Sequence, residues 1–77
     1  EEMELDILGI REKKVVIAGE VKWGHFTLRD FRNFRQKVDL LPFEKDRELR
    51  VVIFSGKEFK FKVPKEVLAV KGESRLA

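Results

Sequence analysis

The chain has 77 residues, no cysteine, one histidine, and 17 basic against 14 acidic side chains for a formal charge of +3. That size fits one small domain, in which a single core leaves only a few kcal/mol of net stability and support from a partner is expected. The lack of thiols excludes disulfides, thiolate metal sites and cysteine nucleophiles, so any metal must sit on oxygen ligands, with His25 the sole imidazole.

No uninterrupted apolar run is longer than that from Val15 to Ala18, which is far below the roughly 20 residues that cross a bilayer. With no basic-plus-apolar leader at its start, the chain reads as soluble and cytoplasmic, without a membrane partner. Charged residues make up 40% while Asn33 and Gln36 are the only side-chain amides, a balance like that of thermophile proteins. The small basic excess permits contact with phosphate without requiring it.

In chain order, Met3 to Ile10 alternates as a strand, with Leu5 and Ile7 on one face and Glu4, Asp6 and Leu8 on the other. A polar connection, Gly9 to Lys14, leads to a second strand, Val15 to Trp23. Its first half is apolar and its second half alternates. Gly24-His25-Phe26 breaks the pattern, with His25 read as a loop residue and Trp23 and Phe26 as core or helix-packing residues. Thr27-Leu28-Arg29-Asp30 carries the capping-box spacing of a helix start. The helix is expected from Leu28 to about Leu40, its stripe of Leu28, Phe31, Phe34, Val38 and Leu41 lying on a sheet, with Pro42 ending it. Glu44 to Glu48 reads as a charged connection, and Leu49 to Phe54 as a strand covered on both faces. After the turn at Ser55-Gly56-Lys57, the segment to Val63 alternates as a half-exposed antiparallel strand, with Phe59, Phe61 and Val63 inward. Val67 to Val70 is a last short strand or helical turn. The expected fold is α/β: a small mixed β-sheet of four or five strands with one main helix packed on it, residues 1–77 forming a single domain.

Glu20-Val21-Lys22 stands out because it places charge where a strand should pack, and buried charge is costly unless paired or metal-bound. If the first two strands form a hairpin with an odd number of connecting residues, such as Glu12 to Lys14, Asp6 lies across from Glu20 and Glu4 across from Lys22. Opposed side chains then have Cβ atoms about 4.5–5.5 Å apart, close enough for two carboxylates to share a Mg²⁺. A register shifted by one residue sends them to opposite faces. The same residues also read as the solvated half of an amphipathic strand, with Glu4 and Lys22 as a cross-strand ion pair. Arg29, Arg32 and Gln36 share a helix flank that suits phosphates or simply water.

Leu5-Asp6-Ile7-Leu8 on one strand, Gly19-Glu20-Val21-Lys22-Trp23 ending the next, and a helix after it resemble the core signature of the PD-(D/E)xK nuclease superfamily. The likeness is to the nuclease-like C-terminal domain, of unknown function, of archaeal P-loop ATPases, and spans roughly Glu4 to Phe54. It implies a restriction-endonuclease-like core lacking its first helix and strand, hence a part of a longer protein. Asp6 and Glu20 would be metal ligands, the Val21 carbonyl a third, and Lys22 the residue that orients or activates the attacking water. The implied cofactor is Mg²⁺ or Mn²⁺ and the implied substrate DNA, with Arg29, Arg32 and Gln36 as its contacts. A P-loop ATPase domain of the parent protein is the implied partner, although no Walker-type loop lies within these residues. The alternative is a non-catalytic interaction module that keeps the nuclease fold and forms a homo-oligomer.

Overall fold

The computed structural model describes residues 5–72, in the order β1 (Ile7–Arg11), β2 (Lys14–Lys22), β3 (Phe26–Thr27), α1 (Leu28–Asp39), β4 (Glu44–Ser55), β5 (Phe59–Lys60) and β6 (Val67–Lys71). Four strands form one mixed sheet in the order β1-β2-β4-β6, and β3 with β5 forms a separate two-stranded ribbon. The β1–β2 pair is antiparallel, whereas β2–β4 and β4–β6 are parallel. The expected α/β architecture is present, with one helix on the sheet. Met3 and Glu4, assigned to the first strand from sequence, lie outside the described residues, as does the Glu4–Lys22 pairing.

The hairpin between β1 and β2 closes in two residues rather than the three expected. Glu12 and Lys13 have positive φ, 54° and 67°, the left-handed pair that a two-residue turn needs to match strand twist. That turn alone pairs Arg11 with Lys14. A bulge then takes up Val16, because Ile10 pairs with Val15 while Gly9 pairs with Ile17. Beyond the bulge Ile7 faces Gly19, the last pair of the ladder, and Asp6 and Glu20 are the next residues along each chain. Two residues of turn and one of bulge thus give the register expected from three connecting residues. Gly9 is needed here, since a Cβ on it would overlap the Ile17 side chain.

Helix α1 starts where the sequence indicates. Thr27 Oγ1 accepts from the Asp30 amide at 3.2 Å and the Asp30 carboxylate accepts from the Thr27 amide at 2.9 Å, a complete capping box worth about 1 kcal/mol. Phe31, Phe34 and Val38 are buried with Val15, Ala18, Phe26, Ile53 and Val67 in the core between helix and sheet. Leu28, at the stripe's first position, is 41% exposed.

Two segments depart from the sequence reading. Glu44 to Glu48 is the first part of β4, pairing with the start of β2 through Lys14–Glu44 and Val15–Lys45. The Asp46 side chain accepts from the Glu48 amide where that pairing is interrupted, so the local turn tolerates the polar residues. The segment after Gly56 does not add an antiparallel strand beside β4. Only Phe59–Lys60 is extended, and it pairs in parallel with β3. Phe59, Phe61 and Val63 do point inward, and Phe61 stacks on Phe31 at 5.2 Å between ring centroids. The segment therefore crosses over the helix side of the sheet, which leaves the place beside β4 to β6.

Both connections between parallel strands, α1 and the β5 segment, consequently cover one face of the sheet. Among the described residues no element covers the other face, which corrects the expectation of a strand covered on both sides. Phe54 and Val52 are half-buried, Leu68 and Val70 are 60% and 40% exposed, and Trp23 is 77% exposed rather than packed in a core. Trp23 rests on Phe54 edge to face, with centroids 5.5 Å apart. Phe26, by contrast, is fully buried as expected. No helix among the described residues is long and apolar enough to cross a membrane.

Candidate functional site

The site is built at the end of β2, where alternation puts Ala18, Glu20 and Lys22 on the face beneath α1. Ala18 joins the core, and Glu20 two residues on is still buried, with 8% of its side chain exposed. A carboxylate at that depth needs partners. Its two oxygens have one each: Lys37 Nζ from α1 at 3.5 Å from Oε1, and Lys22 Nζ at 4.0 Å from Oε2. Lys22 lies equally close to a second acid, 3.9 Å from Asp30 Oδ1. Asp30 thereby links the helix cap to the site, one carboxylate oxygen taking the Thr27 amide and the other facing Lys22.

Asp6 reaches the site from the opposite direction. It stands just before β1, is exposed, and its Oδ2 accepts a hydrogen bond from the Val21 amide at 2.9 Å. The carboxylate takes the place that the next backbone carbonyl of β1 would have in the ladder. Successive residues of a strand direct their peptide groups to alternate sides, and the N–H and C=O of one residue share a side. The Lys22 carbonyl points toward β4, accepting from the Gly56 amide at 2.7 Å. The Val21 N–H and C=O therefore both open toward the β1 edge where Asp6 lies.

Asp6 thus meets the backbone of β2 at Val21, the residue between Glu20 and Lys22. Among the described residues no three His, Cys, Asp or Glu side chains converge as a metal-binding group. The donors present are two carboxylates and a peptide carbonyl, hard oxygen ligands of the type that Mg²⁺ and Mn²⁺ take. Lysines on both Glu20 oxygens mean that the carboxylate is already neutralised, and a cation competes for it.

Arg29, Arg32 and Gln36 lie elsewhere. A step of 100° per residue puts Asp30 and Lys37 on the flank of α1 toward Glu20, and these three on its outer side. All three are exposed, and Arg32 and Gln36 border a shallow concavity with Leu28, Phe31 and Arg35 on the flank away from Glu20. His25 is an exposed residue between β2 and β3, in keeping with the loop reading. The sequence reading did not assign Lys37 to the site. Its signal was its position seven residues after Asp30, two turns along the same flank, but without the helix docked on Glu20 that spacing had no meaning.

Comparison with known protein families, curated proteins and solved structures found no match.

Proposed function

We propose that this domain is a nuclease-like module of the PD-(D/E)xK kind, acting on nucleic acid with a divalent cation. The observation that carries this reading is the 2.9 Å hydrogen bond from the Val21 amide to Asp6, just past the Ile7–Gly19 pair that ends the ladder. An acid from another segment caps the β2 backbone at the residue between Glu20 and Lys22, which an ordinary amphipathic strand does not require. Asp6, Glu20 and the Val21 carbonyl would hold Mg²⁺ or Mn²⁺. A cation so bound lowers the pKa of a water and offsets charge developing on a phosphate. Lys22, held between Glu20 and Asp30, orients that water or steadies the phosphate with its ammonium. By the same likeness the module belongs to a larger protein carrying a P-loop ATPase domain, and DNA is its expected substrate.

The test is calorimetric titration of Mn²⁺ into the purified domain, with Asp6→Asn and Glu20→Gln as controls and circular dichroism to establish that all are folded. Saturable binding abolished in both variants supports the reading and justifies nuclease assays. No binding by the folded wild type sinks the metal-dependent enzyme.

A second reading, a non-catalytic module that binds a second copy, is favoured by the open sheet face. Trp23, Leu68 and Val70 are exposed there, and the outer edge of β6 has no neighbouring strand among the described residues. Unpaired edges with apolar side chains are templates for strand addition. Light scattering decides it: a mass well above the 9.1 kDa chain supports self-association, and a monomer at high concentration removes it.

A further inference from the structure

We infer that the flank of α1 turned away from Glu20, together with the segment that follows Gly56, is a metal-independent contact surface for the phosphate backbone of a nucleic acid; this rests on the nucleic-acid reading above and not on its metal. The net charge of only +3 hides an uneven distribution. The lysines at the carboxylate site and at the end of β6 are engaged, Lys22 and Lys37 with Glu20 and Lys71 with Glu58. Arg29, Arg32, Arg35, Lys60 and Lys62 are all exposed, and among the described residues none of them is in an ion pair.

Local geometry collects these cations. Arg29, Arg32 and Arg35 recur at every third residue of α1 and form one row along it. Like charges so spaced destabilise a helix, a cost that a bound polyanion offsets. Phe61 stacks on Phe31 with centroids 5.2 Å apart, and the Arg35 guanidinium stands 5.7 Å from the centroid of the same Phe31 ring. That stack lays Lys60 and Lys62, the exposed neighbours of Phe61, alongside the arginine row. The acids of this side stand at its margins. Asp39 and Glu66 line a cleft with Arg35 at the C-terminal end of α1, and Glu58 is neutralised by Lys71 at 3.7 Å. Each arginine rises about 4.5 Å beyond the one before, comparable with the roughly 3.4 Å per phosphate along one strand of a duplex. Planar guanidinium groups match phosphate oxygens in pairs. A lipid surface is a polyanion too, but a helix that lies on one presents an apolar face to it, and the apolar stripe of α1 is buried in the core through Phe31, Phe34 and Val38.

The test is fluorescence anisotropy of a dye-labelled oligonucleotide, single-stranded and duplex, titrated with the domain in EDTA over a range of salt concentrations, with circular dichroism to check that each variant is folded. Binding is expected without metal, its logarithm falling linearly with that of the salt concentration. Arg32→Gln with Lys62→Gln should weaken it about tenfold or more and reduce the salt slope by about two. Lys13→Gln with Lys14→Gln removes the same charge at the β1–β2 turn, on the other side of the sheet from β6, and should leave binding nearly unchanged. Equal weakening by both pairs overturns the assignment, because net charge alone is then being read. Binding that needs Mn²⁺ and is lost in Asp6→Asn puts the nucleic acid at the carboxylates and overturns the separate surface. Absence of binding in EDTA at low salt, or binding to vesicles of anionic phospholipid in its place, overturns it as well. Since metal is absent throughout, this surface and the metal site can each fail without the other.

Discussion

The Asp6 carboxylate and the Val21 amide are joined by a 2.9 Å hydrogen bond across 15 residues of sequence, at the point where the β1–β2 ladder ends. The bond gives Asp6 two separable functions, an acceptor for one amide and a negative charge at the end of β2 that carries Glu20 and Lys22. Asparagine retains the first and removes the second. Asp6→Asn is therefore expected to melt within a few degrees of the wild type while losing Mn²⁺ binding. Asp6→Ala leaves the Val21 N–H to water, which costs about 1 kcal/mol or less at this exposed position and speeds hydrogen exchange of that amide, read by NMR. An Asn variant that unfolds would assign the charge to stability instead.

Glu20 is the more deeply set acid, and its replacement is expected to cost more. Removing one partner of a fully buried ion pair costs roughly 3–5 kcal/mol. Here the lysines left behind are 40% and 32% exposed and can rehydrate, so Glu20→Gln should cost about 1–2 kcal/mol. For a domain of this size that lowers the melting temperature by roughly 5–15 °C. A loss that shrinks in high salt identifies the lost term as electrostatic.

The sequence made the outline of the site legible because strand alternation and turn parity are local properties. Asp6, Glu20 and Lys22 could be brought together by counting residues. The count arrived at the right register by another route, since a bulge at Val16 compensated for a turn one residue shorter, and nothing in Val15-Val16-Ile17 marks which valine is extruded. The helix was legible from Thr27 and Asp30, whose cap is also local. What was not legible depended on which face each connection crosses. Phe59 and Phe61 alternate as they would in an antiparallel strand beside β4, and only their packing against Phe31 shows that the segment runs over the helix. Trp23 appeared to be a core residue for the same reason: the sheet face it occupies is open.

The hairpin turn offers a stabilising change. Glu12 and Lys13 each hold a positive φ that side chains with a Cβ resist, whereas Asn-Gly adopts this pair of conformations readily. Glu12→Asn with Lys13→Gly is expected to raise stability by about 0.5–1 kcal/mol in urea denaturation, with metal binding unchanged because the register past Val16 is untouched. A fall in stability would mean that the two charged side chains contribute more than the turn conformation.

Trp23 and Phe34 set the two extremes of the apolar inventory. Phe34 is fully buried between helix and sheet, and Phe34→Ala should cost roughly 3–5 kcal/mol, close to the whole stability of so small a domain. Trp23 is 77% exposed and its one aromatic neighbour is Phe54, so Trp23→Ser should change stability by less than about 1 kcal/mol. As the only tryptophan it also reports on its own surroundings: in the isolated domain its fluorescence is expected to be that of an indole in water, fully open to acrylamide quenching. Emission that shifts to the blue and becomes protected as concentration rises would show a second copy covering the open sheet face, and would move the weight of evidence to the interaction module.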